Sequence, residues 1–160
     1  MRNFQLAIKR LFDIVVSLGM IICLIIIPVL IIIPIAIKLD SRGPVIFKQI
    51  RIGKDGKEFE IFKFRTMLMP EDRIDKDGNV LEPKQSITRV GNILRKTSLD
   101  ELSQLFNVLR GDMSIVGPRP MIPKRAKLIS EYHFGRHAMR PGVTGLAQVN
   151  GRNDLNWDEK

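Results

Sequence analysis

The hydrophobic pattern is dominated by one stretch near the start of the chain: from Ile14 to Ile37 no side chain carries a charge. As a continuous helix that run would reach about 36 Å, enough to cross a hydrocarbon core of about 30 Å. Pro28 and Pro34 interrupt it. Proline removes a helical hydrogen bond and crowds the preceding turn, so a bend at Pro28 is expected. Basic residues flank both ends, with Arg2, Lys9 and Arg10 before the run and Lys38, Arg42, Lys48, Arg51 and Lys54 after it. Positive flanks tend to stay on the cytoplasmic side, which fits a re-entrant helix that enters, bends and returns; a spanning helix is the alternative. A secretory signal is disfavoured by the length of the run and by the lack of a small-residue cleavage site. Asp13, just before the run, is expected to be a solvated charge at a helix end, with contact to an interfacial basic residue as the alternative.

Beyond Ser41-Arg42-Gly43-Pro44, a turn signal, the pattern shortens. Val45 to Phe47 and Ile50 to Ile52, then Glu58 to Phe64 after a Gly-rich link, predict a β-hairpin. Phe59 and Ile61 share one face while Phe62 and Phe64 take the other, which implies a bulge or burial on both sides. Met69 to Gln85 lacks periodicity and reads as a loop. Asp75 and Asp77 lack the remaining ligand spacing of a calcium loop. Ser86 to Lys96 predicts an amphipathic helix through Ile87, Val90, Ile93 and Leu94, and a second helix starts near Ser98 with Leu102, Leu105, Phe106 and Leu109 as its core stripe. Met113 to Val116 suits a strand, and Ile122 to His137 a basic, hydrated helix. Pro141 to Gly145 and Asn150 to Asn153 read as tight turns. His133 and His137, one turn apart, have no acidic ligand motif nearby to make a metal site.

The chain has 160 residues, which bounds it to one modest globular unit, and a net charge of +9, which favours an anionic partner. Cys23 is the single cysteine, excluding an internal disulfide and a thiolate zinc cluster. Nucleic acid is disfavoured as a partner: aromatic residues are 6% of the chain and no recognised binding module is present.

The candidate chemistry lies at Asp100 and Glu101, between Arg95 and the Arg119 of Gly117-Pro118-Arg119-Pro120. Adjacent carboxylates among basic groups suit reaction at a phosphorylated, metal-bound substrate. The alternative is structural, since Ser98 and Glu101 have the spacing of a capping box. A first helical turn would also favour an ionised Asp100. Two prolines restrict Arg119, which suits phosphate recognition or a simple connection. Lys63 and Arg65 in Lys63-Phe64-Arg65-Thr66-Met67 are equally open to phosphate binding or to an ordinary basic strand end.

The assembled order resembles the bacterial sugar transferase family, the monotopic phosphoglycosyl transferases. The resemblance runs through Lys9-Arg10-Leu11-Phe12-Asp13, the proline-broken apolar run, Lys63 to Met67, Ser98 to Leu102, Gln104 to Val108, Gly111 to Ser114, Val116 to Pro120 and Pro141 to Gly145. It implies an α+β, mainly helical fold: a re-entrant membrane helix over 1–40, then a small cytoplasmic catalytic domain with a short hairpin over 41–160. It further implies transfer of a sugar-1-phosphate from a nucleotide sugar, a UDP-sugar by family expectation, to polyprenyl phosphate through an aspartyl phosphosugar. Asp100 would be the nucleophile, with Glu101 aiding metal binding or proton handling. Magnesium would be held by Asp100 and Glu101, and Arg95, Arg119, Lys63, Arg65 and Arg152 would bind substrate phosphates. Membrane lipid is an implied partner, and the implied location is the bacterial cytoplasmic membrane, facing the cytoplasm. The resemblance leaves the sugar and the oligomeric state open. A noncatalytic membrane-tethered basic scaffold is the competing reading. Two departures stand out: Ile27-Pro28 replaces a Ser-Pro pair at the membrane break, and similar proteins continue past Lys160, so the C-terminal part is expected to be truncated.

Overall fold

The computed structural model describes residues 2–26, 29–74, 78–126 and 134–150. The fold is α+β and about half helical, with two two-stranded sheets. Contacts divide the chain into two compact units, each built from separated segments. Pro28, proposed as the membrane break, lies outside the described residues, between helix α1 (Arg2–Ile26) and helix α2 (Val29–Asp40), which contains Pro34. Among the described residues no helix is long and apolar enough to cross a membrane.

The expected hairpin forms: strand β1 (Ile46–Ile52) and strand β2 (Glu58–Phe64) pair through a tight link. The link contains Asp55 and Gly56 at φ of 56° and 75°, a left-handed reversal that Asp tolerates and Gly favours.

The first unit comprises Met1–Ile22, Lys48–Ile61 and Gln104–Lys160. Its core gathers Ile61, Val108 and Met113, with Phe59, Ile115 and Val143 packed against them. Helix α4 (Gln104–Arg110) leads through Gly111, at φ of 91°, to strand β3 (Ser114–Val116). The segment read as a turn near Pro141 instead forms strand β4 (Gly142–Thr144), parallel to β3, with Ser114 opposite Gly142 and Val116 opposite Thr144. Glycine is needed there because a Cβ on Gly142 would collide with the backbone of Gly117.

Asp13 corrects the expectation of a solvated charge: it is 4% exposed. Its carboxylate accepts a hydrogen bond from Ser114 Oγ at 2.7 Å and faces Lys9 Nζ at 3.3 Å, so the buried charge is paired. Arg10, one turn earlier, donates to the carbonyls of Val108 and Leu109 at 2.6 and 3.0 Å, at the end of α4 where helical hydrogen bonding runs out and Val108 O also accepts from Gly111 N at 3.0 Å.

The second unit comprises Cys23–Phe47 and Phe62–Ser103. Ile33, Ile37, Phe64 and Leu94 form its core, with Val45, Ile46, Val90, Leu99 and Leu102 around them. Helix α3 (Arg89–Thr97) matches the predicted amphipathic helix and is capped twice: Thr88 Oγ1 accepts from Gly91 N at 2.9 Å and Asp40 Oδ2 from Val90 N at 2.8 Å. Ile93, placed on the apolar face by its spacing, is exposed.

The long helix predicted from Ile122 to His137 is described only as a one-turn helix α5 (Pro123–Ala126) and a 3-10 turn over Gly135–Ala138. His137 is buried rather than hydrated, while His133, like Asp75 and Asp77, lies outside the described residues.

Candidate functional site

Asp100 and Glu101 sit in a single 3-10 turn, Leu99–Glu101, that follows α3. The capping-box alternative is not realised. Ser98 adopts left-handed φ and ψ of 58° and 17° and makes no side-chain cap hydrogen bond. It ends α3 and reverses the chain, a conformation uncommon outside Gly and Asn and recurrent at functional sites. The expected core stripe moves accordingly. The α-helix begins at Gln104, so Leu105, Asn107 and Val108 are buried while Phe106 is exposed. The first-turn dipole argument for Asp100 therefore gives way to the side chains around it.

Those side chains come from the same unit. Lys63, on β2, donates to Glu101 Oε1 at 2.7 Å, with both partners mostly shielded from water. Partial burial raises the Asp100 pKa; the positive charges of Lys63 and Arg95 and a backbone hydrogen bond oppose that rise, and Glu101 adds to it. The outcome is a carboxylate short of hydration with positive charge in its surroundings, and Arg95 itself is exposed at the end of α3. Stripping water from an anion raises its reactivity toward phosphorus, and nearby positive charge keeps enough of it ionised to react.

Arg65 has a different setting. It is 5% exposed, and its guanidinium donates to Pro44 O, Ser41 Oγ and Ser41 O at 2.6, 2.9 and 2.9 Å, and to Arg42 O as well. Its donors are thus committed to the 41–44 turn, and through it they hold β2 and Lys63 in place. Arg152 lies outside the described residues.

Arg119 belongs to the other unit and is exposed in the loop after β3. Gly117 N donates to Thr144 O at 3.0 Å, Gly142 N to Pro118 O at 3.0 Å, and Arg136 Nη2 to the Arg119 carbonyl at 3.3 Å. The loop backbone is fixed and the guanidinium is presented outward. Sequence reasoning missed the neighbours of Arg119. Arg51 on β1 has its pKa lowered by burial and by the charges of Arg119 and Arg125. The signal was faint: an arginine at an alternating strand position.

Magnesium can be tested against the donor set. Two adjacent, partly exposed carboxylates supply hard oxygens. The described residues hold no group of three or more potential ligands, but magnesium completes its shell with water and phosphate oxygens, so a two-carboxylate site fits it.

Residues 4–160 match the family model described as bacterial sugar transferase. The sugar transferase EpsL of Bacillus subtilis is 43% identical over 153 residues, covering 96% of this chain and 73% of that protein. A UDP-glucose:undecaprenyl-phosphate glucose-1-phosphate transferase of Klebsiella pneumoniae is 45% identical over 158 residues, 94% of this chain and 32% of its own length. An undecaprenyl-phosphate galactose phosphotransferase of Salmonella typhimurium is 40% identical over 167 residues, 96% of this chain and 34% of its own. The chain thus spans about a third of the latter two relatives.

Proposed function

Because the chain belongs to the bacterial sugar transferase family, an enzyme family, we propose that it moves a sugar-1-phosphate from a nucleoside diphosphate sugar to polyprenyl phosphate, the first step in building a polysaccharide or glycoconjugate. The observation that carries this reading is the half-buried Asp100 carboxyl beside Glu101, under the positive charges of Lys63 and Arg95. The names of the Klebsiella and Salmonella relatives specify undecaprenyl phosphate, with glucose in one and galactose in the other. Those names favour a UDP-hexose donor here.

The chemistry is a double displacement. An Asp100 carboxylate oxygen attacks the β-phosphorus of the donor, the bridging P–O bond breaks, and a nucleoside monophosphate leaves with the electron pair. An oxygen of the lipid phosphate then attacks the same phosphorus, freeing the Asp100 carboxylate and yielding a polyprenyl diphosphosugar. Lys63 fixes Glu101 and, with Arg95, favours the ionised Asp100 needed for attack. Arg95 is proposed to bind a substrate phosphate beside Asp100 in its own unit, and Arg119 is proposed as a phosphate ligand in the other. Asp100 and Glu101 would hold magnesium, which supplies neutralisation of phosphate charge.

An acceptor in the bilayer calls for an enzyme seated on it. On α1, Leu11, Phe12, Val15 and Ile22 are exposed, and on α2, Ile31, Ile32, Ile35 and Leu39 are exposed. These apolar surfaces on a chain of net charge +9 suit an anionic membrane face. The proposed arrangement has residues 1–40 re-entering the cytoplasmic membrane with a break at Pro28, and 41–160 on its cytoplasmic face.

The test is membrane-reconstituted protein incubated with magnesium, polyprenyl phosphate and a panel of nucleotide sugars, with nucleoside monophosphate release as the readout. Release should require both the correct sugar donor and the lipid phosphate for turnover. Asp100→Asn should lower turnover at least about 1,000-fold; normal turnover by that variant would refute the assignment.

A further inference from the structure

In the first unit, Ile52 N donates to Met121 O at 2.8 Å in an antiparallel bridge. That bridge sets the strand carrying Arg51 against the segment linking Arg119 to α5, where Arg125 lies. Arg136 reaches the same segment by donating Nη2 to the Arg119 carbonyl at 3.3 Å. Four arginines therefore converge from three separate stretches of chain. Such a convergence of like charge works against folding unless something negative occupies it.

Among the described acids of this unit, Asp13 pairs with Ser114, Glu60 with Lys48, and Asp112 with Arg110. Arg51, Arg119 and Arg136 take part in no ion pair among the described residues. Arg51 Nη2 donates to Gln49 Oε1 at 2.6 Å, its one side-chain hydrogen bond among the described residues. The Nε atoms of Arg51 and of Arg136 are both buried without a hydrogen-bond partner among the described residues. Buried donors of this kind are rare and costly, and two of them in one arginine cluster mark a place where an acceptor belongs.

We infer that Arg51, Arg119, Arg125 and Arg136 together form a binding site for a phosphate-bearing anion, with Arg51 as the group that anchors it. The guanidinium fork matches tetrahedral oxyanions in a way that a lone ammonium does not, and repeated forks suit a ligand with several phosphate oxygens. The inference deepens the transferase reading and rests on it for the substrate's identity; the oxyanion chemistry itself rests on the cluster.

The test uses the full chain, purified in detergent without divalent cation and melted with inorganic pyrophosphate or with sodium chloride at matched ionic strength. Pyrophosphate at a hundredfold excess over its Kd should raise Tm by about 5 °C or more, with no comparable gain from chloride. A second arm replaces pyrophosphate with vesicles of phosphatidylcholine and phosphatidic acid. A gain from pyrophosphate assigns a soluble phosphate ligand, and a gain confined to the vesicles assigns a lipid phosphate. Both support the site provided that Arg51→Gln abolishes the gain.

Without ligand, Arg51→Gln should melt no lower than the parent, because it removes like-charge repulsion; a purely structural arginine would instead lower the melting temperature. Arg51→Lys, which keeps the charge and loses the fork, should retain a reduced gain and serves if the Gln variant does not fold. Asp100→Asn should keep the full gain, so loss of sugar transfer and loss of anion binding are separable outcomes. An undiminished gain in Arg51→Gln, or no gain in either arm with the parent, would overturn the inference.

Discussion

Asp100, the proposed nucleophile, is placed at the expense of the fold. Burial raises its pKa above the ordinary 3.8, meaning that the folded state disfavours the ionised carboxylate. Between that ordinary value and the raised one, the folded chain binds more protons than the unfolded chain, so stability falls as pH rises through the window. Above the window the cost is present in full. Asp100→Asn should therefore be more stable than the parent at neutral pH, and the difference should vanish below the ordinary carboxylate range; urea melts of both proteins across pH check the sign. A difference that grew on acidification would contradict the account. At this scale much of the site was legible in the sequence, because Lys63, Arg95, Asp100 and Glu101 lie in short local motifs. Asp13 and Arg65 were harder to read, since what determines their state is a partner far along the chain: Ser114 for the one, and the carbonyls of the 41–44 turn for the other.

Elements are joined here by charged side chains acting on helix ends. Arg10 satisfies two carbonyls at the C-terminal end of α4, the favourable end of the helix dipole for a cation. Removing both charge-assisted bonds in Arg10→Met should cost about 2 kcal/mol, measurable by denaturant titration; an unchanged midpoint would show that water substitutes for the guanidinium. The periodic pattern foretold α3, whose Val90 and Leu94 pack into the second unit's core, and the hairpin, whose Phe59 and Ile61 pack in the first core while Ile46 and Phe64 pack in the second. It misplaced the start of α4, since Ser98 takes a left-handed conformation that no hydrophobic period encodes, and a 3-10 turn intervenes before Gln104. Strand β4 was missed for a related reason. Its three residues include Gly142, and its strand character comes from the parallel pairing with Ser114–Val116.

At the scale of the whole molecule, contacts gather Met1–Ile22 with Lys48–Ile61 and Gln104–Lys160, and Cys23–Phe47 with Phe62–Ser103. Such non-contiguous assembly cannot be read from composition, because it depends on long-range partners such as Arg10 with Val108. The family, by contrast, was legible throughout, from motifs spread along nearly the full chain and matched over residues 4–160. What the fold adds is a reason for those motifs: the residues that adjust Asp100 and those that fix the Arg119 loop are each secured by backbone carbonyls, turns and close glycine contacts. The central claim is that a carboxylate oxygen of Asp100 forms a bond to phosphorus. The most direct measurement is peptide mass spectrometry of acid-quenched protein after incubation with a nucleotide sugar and magnesium in the absence of lipid phosphate. The account predicts a phosphosugar mass on the peptide containing Asp100, one nucleoside monophosphate released per adduct, and loss of both in Asp100→Asn. An adduct on another residue, or one that persists in Asp100→Asn, would contradict it.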